Sequence, residues 1–447
     1  MKFTSIFFSA SESIFEINLK DNKNSWKKTK IAVRSSKNVS KAVSLCRNLQ
    51  KRKPMKYNFD EIVSRTHTDC LKFDRLQQFY GREDLLPMWI ADMDFKTPPF
   101  IVKALRERLE HEVFGYTDKC EAWKPAIQRW EKMRYGWEIE AEAIEHVSGI
   151  VPAIAFAIQA LTAEGDGILI QPPIYPPYFH VPELNGRKVV TNPLKLVDGQ
   201  YEIDFDDFEQ KAQQSRLFLL CHPHNPAGRV WRREELERMA EICHRHRVVV
   251  ISDEIHADMT FKGFRHIPFA LVSEKASSNS ITMKAASKSF NIAGLISSYV
   301  IIPDPELRAR YNGFLMKSEL NHAHVFATIA TTAALSDEGA EWLSQMIDYV
   351  TENVNYLQAF IAEKMPLLKM IRPQASFLVF LDCRKLNLSS QELQSFFTDK
   401  AHLALNEGST FGEEGAGFMR MNVGCPRSTL REALDRLHAA YCELTEK

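Results

Sequence analysis

The chain has 447 residues, 45% of them hydrophobic, which is enough for a large domain and a smaller one with its own core. Lysine plus arginine and aspartate plus glutamate both number 57, so neither a nucleic-acid partner nor an acidic tail is indicated. The eight cysteines include no Cys-x-x-Cys pair, and no apolar stretch approaches the roughly twenty residues that span a bilayer. We therefore expect a cytoplasmic globular protein that binds a small molecule, without a metal site or a membrane span.

Residues 1–54 differ in composition from the rest of the chain. They contain thirteen lysines and arginines against three acids, with many serines and asparagines and no sustained hydrophobic period. The apolar stretch between Ser5 and Ala10 is short, and Glu12 and Glu16 follow it at once, which disfavours a signal peptide. We expect a disordered extension or, if translation begins at Met55, upstream sequence.

From about residue 100, short apolar runs alternate with helical periods. Continuous apolar runs at 167–170, 217–220 and 248–251 predict buried strands. Between the last two, a helix is predicted by apolar residues at helical spacing: Leu236, Met239, Ala240 and Cys243. This order predicts an α/β fold with a mostly parallel sheet covered by helices, in which ligands bind at the carboxyl ends of the strands.

The domain organisation is predicted from the same pattern. Residues 101–334 are expected to form a large domain, and residues 335–447 a smaller α+β domain that ends in an amphipathic helix at 430–444. Residues 55–100 are expected to join the small domain.

Polar motifs follow the predicted strands or open a helix. Ser148-Gly149-Ile150-Val151-Pro152 precedes an apolar helical run, and the free amides of such a helix start can bind a phosphate. Tyr175 lies in a proline-rich stretch after the first strand, where its ring either stacks on a planar ligand or packs in a rigid turn. Asn225, after the second strand, is placed to donate its amide. Neither an ATP-binding loop nor a dinucleotide fingerprint is present.

Asp253 and Lys288 form the most informative pair in the sequence. Asp253 follows the third strand, and Lys288 lies thirty-five residues later, after another predicted strand. Each residue alone is more often a turn residue or a surface charge. Pyridoxal phosphate needs both, because its aldehyde forms a Schiff base with a lysine and its ring nitrogen is kept protonated by a carboxylate.

The sequence resembles the fold type I, aminotransferase-like pyridoxal phosphate enzymes, and within them the MalY/PatB-type carbon-sulfur lyases, the cystathionine beta-lyase group. Six motifs carry the resemblance in the expected order: Phe114-Gly115-Tyr116, Pro172 to Tyr178, Pro223-His224-Asn225-Pro226, Asp253 to His256, Ser287 to Gly294, and Arg420-Met421-Asn422. The stretch from Met88 to Phe95 is similar to that group as well. The resemblance covers about residues 57–445.

The resemblance implies a role for each residue around the cofactor ring. Lys288 would be the Schiff-base lysine and, once displaced by substrate, the base that takes the Cα proton. Asp253 would contact the pyridinium nitrogen. Asn225 and His256 would approach the phenolic oxygen, and Tyr175 would stack on the ring.

The resemblance also implies how the phosphate and the substrate are bound. The phosphate would be held by the amides and hydroxyl of four residues: Gly149, Ile150, Val151 and Ser287. Tyr116 would reach the phosphate of the neighbouring subunit in a homodimer with shared active sites. Arg420 would bind the substrate carboxylate through two parallel hydrogen bonds, which a lysine cannot make.

Three positions depart from the pattern of related enzymes. Many aminotransferases have a basic residue eight positions after the lysine, where this chain has Ile296, so the phosphate would have fewer charged partners. Ala285 replaces a frequent serine, and His222 replaces an asparagine that is common in the lyase group.

The implied reaction is β-elimination of an S-substituted cysteine such as cystathionine, which gives a thiol, pyruvate and ammonia and would belong to methionine biosynthesis. Two alternatives remain open at this point. Transamination uses the same residues, and a regulatory protein could keep the fold while acting through a partner.

Overall fold

The computed structural model describes residues 57–320 and 322–446 and, before them, only the backbone of three strands. These strands form an antiparallel sheet: β1 (Ile6–Phe7), β2 (Ile14–Lys20) and β3 (Trp26–Ala32). Residues 1–56 and 57–447 are separate units. The expectation for 1–54 falls largely outside the described residues and stays a prediction.

The described helices of the second unit are α1 (Leu71–Asp74), α2 (Leu76–Tyr80), α3 (Pro99–Leu109), α4 (Trp123–Tyr135), α5 (Ile150–Leu161), α6 (Pro177–Leu184), α7 (Phe205–Ala212), α8 (Arg233–Arg245), α9 (Glu274–Ser278), α10 (Pro305–Lys317), α11 (Val325–Ala334), α12 (Asp337–Lys364), α13 (Ser390–Ser395) and α14 (Arg427–Thr445). None of these described helices is both long and apolar enough to cross a membrane.

The strands of the same unit are β4 (Leu86–Pro87), β5 (Ile144–Val147), β6 (Gly167–Ile170), β7 (Lys188–Thr191), β8 (Lys195–Val197), β9 (Gln200–Glu202), β10 (Leu217–Cys221), β11 (Val249–Asp253), β12 (Ser280–Lys284), β13 (Ser298–Ile301), β14 (Lys369–Ile371), β15 (Leu378–Asp382), β16 (Leu403–Ala404), β17 (Asn406–Glu407) and β18 (Phe418–Asn422).

The main sheet has seven strands in the order β5-β13-β12-β11-β10-β6-β7. All neighbours are parallel except β13, which is antiparallel to both β12 and β5. The three strands predicted from apolar runs are β6, β10 and β11, and the predicted helix is α8. The mostly parallel sheet is therefore confirmed.

The apolar pattern of the chain explains why this sheet is covered on both faces. All five residues of β10 are buried, as expected for a strand with helices on either side. The predicted stripe of α8, from Leu236 to Cys243, is buried in one hydrophobic cluster with β10 side chains such as Phe218. The opposite face packs in a second cluster with α5 and α10. This leaves the carboxyl ends of the strands as the open edge of the sheet.

A smaller antiparallel sheet, β14-β15-β18-β17, lies in the last third of the chain. The closing helix α14 confirms the predicted amphipathic segment, with Leu430, Leu434 and Leu437 fully buried. β4 pairs with β16, a contact expected of an N-terminal segment that joins the C-terminal part. The domain boundaries at residues 100 and 334 stay a prediction.

Candidate active site

The polar residues predicted from three strand ends come together at one edge of the sheet. Asp253 is the last residue of β11 and pairs in register with Cys221, the last residue of β10. Asn225 follows Cys221 by four residues, and Lys288 follows the end of β12 by four. Because β10, β11 and β12 are adjacent and parallel, their carboxyl ends open onto the same space.

This space is a cavity of about 400 Å³. Nine of the eleven predicted site residues line it: Gly149, Ile150, Val151, Tyr175, Asn225, Asp253, His256, Ser287 and Lys288. Arg420 is not part of the lining but contacts Asn225, and Tyr116 lies elsewhere. Among residues 57–320 and 322–446, no group of side chains is suited to hold a metal ion.

Asp253 is held in place by two donors. The hydroxyl of Tyr178 donates to Oδ2 at 3.0 Å, and the backbone N–H of Ile255 donates to Oδ1 at 3.1 Å. Burial raises the pKa of Asp253 to about 6, because it disfavours the charged form more than these donors and the charge of Lys288 favour it. A cation placed against this carboxylate would restore its ionised form.

Lys288 opens onto the cavity, and its amine donates to the backbone carbonyl of Ala91 at 2.6 Å. Burial lowers the pKa of Lys288 to about 8; Asp92 and Asp253 oppose this shift, and Arg420 adds to it. A lysine with such a pKa is neutral in a large fraction of molecules at physiological pH, as a nucleophile and base must be.

Arg420 lies on β18 and is 4% exposed. Its guanidinium donates to Oδ1 of Asn225 at 3.2 Å and to Oδ1 of Asn406 at 2.7 Å, and it lies 4.9 Å from the ring centre of Phe411. Burial lowers the pKa of Arg420 to about 10. Its side-chain partners within the described chain are neutral, so this buried cation is poised for an anionic ligand.

Asn225 and His256 complete the side of the cavity that faces Asp253. Because Oδ1 of Asn225 accepts from Arg420, its amide nitrogen is left to donate into the cavity. Nδ1 of His256 is hydrogen-bonded to the hydroxyl of Ser376 at 3.2 Å. Burial lowers the pKa of His256 to about 3, and Lys288 and Arg420 add to the effect, so the imidazole is neutral at physiological pH.

The start of α5 forms a further part of the cavity lining. Gly149 has φ +124°, a conformation that favours glycine, and a Cβ at this position would lie 3.3 Å from Cδ of Pro152. The first amides of α5 have no partner within the helix, so they are available to an anion. Four serines line the cavity, although the sequence predicts a contact only for Ser287: Ser148, Ser287, Ser297 and Ser298.

Ile296 lies beside Gly149, at the position where the sequence departs from the basic residue of many aminotransferases. The residue lines the cavity with φ +49°, an uncommon conformation for a β-branched side chain, and is 58% exposed. Any phosphate at this end would be bound by amides and hydroxyls.

Tyr116 is fully exposed and lines a separate groove with Phe114, His322 and Phe326. Within one chain it does not approach the cavity. An exposed position away from the cavity is expected of a side chain that contacts the active site of a neighbouring subunit. That contact stays a prediction.

Several contacts of the site have no signal in the sequence. The stretch from Met88 to Phe95 is similar to the MalY/PatB-type group, but this similarity assigns no role to Ala91. Its backbone carbonyl accepts the hydrogen bond from Lys288. Asn406 lies on β17 and Ser376 in the loop before β15, and nothing in their local sequence indicates that they contact Arg420 and His256. Tyr178 belongs to the tyrosine and proline stretch, but its bond to Asp253 depends on the start of α6.

Comparison with known protein families identifies the class to which this fold and cavity belong. The model of aminotransferase class I and II matches residues 83–437, and the chain belongs to this family.

Individual relatives narrow the position within that family. The chain is 43% identical over 385 residues to cystathionine beta-lyase PatB of Bacillus subtilis (strain 168), covering 86% of this chain and 99% of that protein. It is 36% identical over 383 residues to protein MalY of Escherichia coli (strain K12), covering 85% and 97%. The crystal structure of cystalysin from Treponema denticola, which contains a pyridoxal 5'-phosphate cofactor, matches with a TM-score of 0.84 at 32% identity, covering 87% and 100%. The fold type I prediction and the resemblance to the MalY/PatB-type group are confirmed.

Proposed function

We propose that the protein is a pyridoxal phosphate-dependent carbon-sulfur β-lyase, which cleaves S-substituted cysteines such as cystathionine to a thiol, pyruvate and ammonia. The observation that carries this proposal is the meeting of Lys288 and Asp253 in one cavity beside the buried cation of Arg420. The relatives named as cystathionine beta-lyases support the choice of reaction.

The residues of the cavity fit pyridoxal phosphate. The start of α5 offers amides to the phosphate, Asp253 offers a carboxylate to the ring nitrogen, and Lys288 offers an amine to the aldehyde. The ring of Tyr175 also lines the cavity and is available for stacking. Bound there, the cofactor supplies an aldehyde that captures the substrate's amino group and a ring that accepts an electron pair.

Asp253 would keep the ring nitrogen of the bound cofactor protonated. Tyr178 and the amide of Ile255 fix the position of its carboxylate, and the positive ring nitrogen favours the charged form that burial opposes. The amide of Asn225 would donate to the phenolic oxygen of the cofactor, and the neutral His256, oriented by Ser376, would approach the same oxygen.

Lys288 removes the Cα proton of the substrate. Its pKa of about 8 makes the amine neutral in about half of the molecules at pH 8, so it can accept this proton without prior activation. Arg420 binds the α-carboxylate, which fixes the Cα–H bond relative to the amine. The electron pair left at Cα then expels a thiolate from Cβ.

Pyruvate release from cystathionine without a keto acid tests the proposal. We expect pyruvate and free thiol in equal amounts from the wild-type protein, and neither from Lys288→Ala. A matched reaction with 2-oxoglutarate tests transamination, which uses the same residues. Glutamate formation without pyruvate would overturn the lyase proposal in favour of an aminotransferase.

A visible absorption band tests cofactor binding separately from turnover. We expect a band in the wild-type protein that is lost in Lys288→Ala, because the lysine is the covalent attachment point. The absence of a band in the wild-type protein would overturn the proposal of a pyridoxal phosphate-dependent enzyme.

We also propose a cytoplasmic homodimer in which Tyr116 reaches the phosphate of the neighbouring subunit. Its complete exposure in the single chain supports this arrangement, and the free cysteines of the described chain fit a reducing compartment. Co-expression of Tyr116→Ala with Lys288→Ala tests it, because a mixed dimer would contain one site with neither substitution. Activity no higher than that of the two variants alone would exclude shared sites.

A further inference from the structure

The backbone carbonyl of Ala91, which accepts a hydrogen bond from Lys288, lies in a stretch, residues 90–94, whose conformation is fixed by hydrogen bonds. Asn422 follows Met421 and Arg420 on β18, and its amide donates to the carbonyl of Ile90 at 2.7 Å and to that of Asp92 at 2.6 Å. These two carbonyls flank the carbonyl of Ala91, which accepts from Lys288. Ile90 adopts φ +57°, a strained conformation for a β-branched residue, which shows that the surrounding contacts determine the backbone here.

Asp92 directly follows Ala91 in the chain, and one oxygen of its carboxylate has no hydrogen-bond partner within the described part of the chain. Its Oδ2 accepts from Arg65 at 2.5 Å. Its Oδ1 is buried and has no hydrogen-bond partner among the described residues. A buried carboxylate oxygen without a donor is costly unless a partner reaches it at some stage of function.

Lys288 is the group able to supply that partner when it is charged. During the reaction its amine takes the Cα proton and becomes an ammonium ion, while the electron pair of the broken C–H bond stays with the substrate. An ammonium has three donors, of which the carbonyl of Ala91 uses one.

We propose that Asp92 is a positioning residue that holds the protonated amine of Lys288 beside the carbonyl of Ala91. This inference rests on the proposed function for the role of Lys288 as base, and it goes beyond it by assigning the charge partner of that base.

The other charged groups near Lys288 leave this role to Asp92. Asp253 is committed to the cofactor ring nitrogen, Arg420 repels an ammonium, and the neutral His256 has a pKa of about 3. Among the charges that affect Lys288, Asp92 has a larger effect than Asp253 even without the cofactor. Arg65 pairs with Asp92 and so weakens its field at the amine.

The pH dependence of Lys288 labelling in the full-length chain freed of pyridoxal phosphate tests the proposal. An amine reagent modifies only the neutral lysine, and mass spectrometry of the peptide gives the rate at each pH. We expect a wild-type midpoint near pH 8, in line with the pKa of Lys288. In Asp92→Asn the midpoint should fall by about one pH unit, because a neutral amide no longer favours the ammonium.

Two further variants make the result specific. Asp94→Asn removes the same charge two residues away, from a carboxylate bound to Arg65 and Lys72, and should leave the midpoint unchanged. Arg65→Gln removes the cation that pairs with Asp92, so the midpoint should move in the opposite direction, to higher pH.

An unchanged midpoint in Asp92→Asn would overturn the proposal, as would shifts of the same sign in Asp92→Asn and Arg65→Gln. If Asp92→Asn does not fold, the shift of the labelling midpoint in Arg65→Gln still tests the proposal. The labelling needs neither cofactor nor turnover, so its outcome is independent of whether the protein proves to be a lyase. In the active enzyme, where Lys288 acts as the base once substrate has displaced it, the acid limb of the kcat profile should shift in Asp92→Glu much less than in Asp92→Asn.

Discussion

Two lysines of the interior, Lys284 and Lys288, lie four residues apart but have opposite surroundings. Lys284 is 2% exposed and makes an ion pair with Glu131 at 2.7 Å, with its amine 4.0 Å from the ring centre of Tyr135. Lys288 opens onto the cavity, and among the described residues no carboxylate makes an ion pair with it.

The difference in surroundings separates a lysine that stabilises the fold, Lys284, from a lysine that is available for chemistry, Lys288. Glu131 also accepts from the hydroxyl of Tyr299 at 3.1 Å, so every partner of Lys284 stabilises a fixed ammonium. Lys288 has only a carbonyl as its direct partner, which accepts a hydrogen bond from either protonation state of the amine. One strand and the loop after it therefore carry a lysine paired with a buried carboxylate and then a lysine whose amine opens onto the cavity.

Replacing each lysine with methionine tests this difference most directly. Lys288→Met should lower kcat by about 10⁴-fold, because it removes the base and the attachment point of the cofactor. The unfolding free energy of the cofactor-free chain should not fall, since no buried charge loses its partner. Pyruvate assays and chemical denaturation measure the two effects, and a large loss of stability would contradict the distinction.

Lys284→Met should give the reverse result. It leaves Glu131 buried without its cation, which costs about 3–5 kcal/mol of unfolding free energy. The visible cofactor band should remain in the folded fraction. The double variant Glu131→Gln with Lys284→Met is the control and should regain most of the stability, because neither charge remains. If the double variant were as unstable as the single one, packing rather than charge would explain the loss.

Arg420→Lys tests a third buried cation, whose ligand is expected to be the substrate. Lysine keeps the charge but loses the two parallel donors, so kcat/KM should fall by about 100-fold, mainly through KM. Kinetics over a range of cystathionine concentrations measure this split. Arg384→Lys, at an arginine paired with Asp382 outside the cavity, should have little effect on either constant.

His222 gives a smaller, pH-dependent effect. Burial, and next the neighbouring His266, lowers the pKa of His222 to about 3. Since this lies below the unfolded value of about 6.5, the unfolded chain takes up the proton first, and stability is lost as the pH falls below 6.5. At pH 5 the loss is about 2 kcal/mol. In His222→Asn, the unfolding free energies measured at pH 7 and pH 5 should differ by about 2 kcal/mol less than they do in the wild type. The control His180→Asn, at an exposed position, should show the same difference as the wild type.

The elements that can be predicted from the sequence are those whose pattern is local. Continuous apolar runs identify β6, β10 and β11, and the helical stripe identifies α8. Because parallel strands place their carboxyl ends together, the sequence alone is enough to assign Asp253, Asn225 and Lys288 to one site. The antiparallel strand β13 was not predicted, since strand direction depends on the connection and not on the strand's own residues.

The contacts that orient the site could not be predicted, because they depend on strand register and on segments that meet only in the folded chain. Asn406 reaches Arg420 across the register of β17 and β18, and Ser376 reaches His256 from a loop 120 residues away. The carbonyl of Ala91 is a backbone group, which no side-chain motif reveals.

The cation-free end of the cavity at Ile296 has a consequence for how the protein keeps its cofactor. Hydrogen bonds from amides and hydroxyls act at contact distance, and dissolved salt screens such buried contacts much less than it screens solvent-exposed charges farther apart. Retention of pyridoxal phosphate should therefore change little between low and high ionic strength, so that the holoenzyme tolerates conditions under which charge-based anchoring weakens.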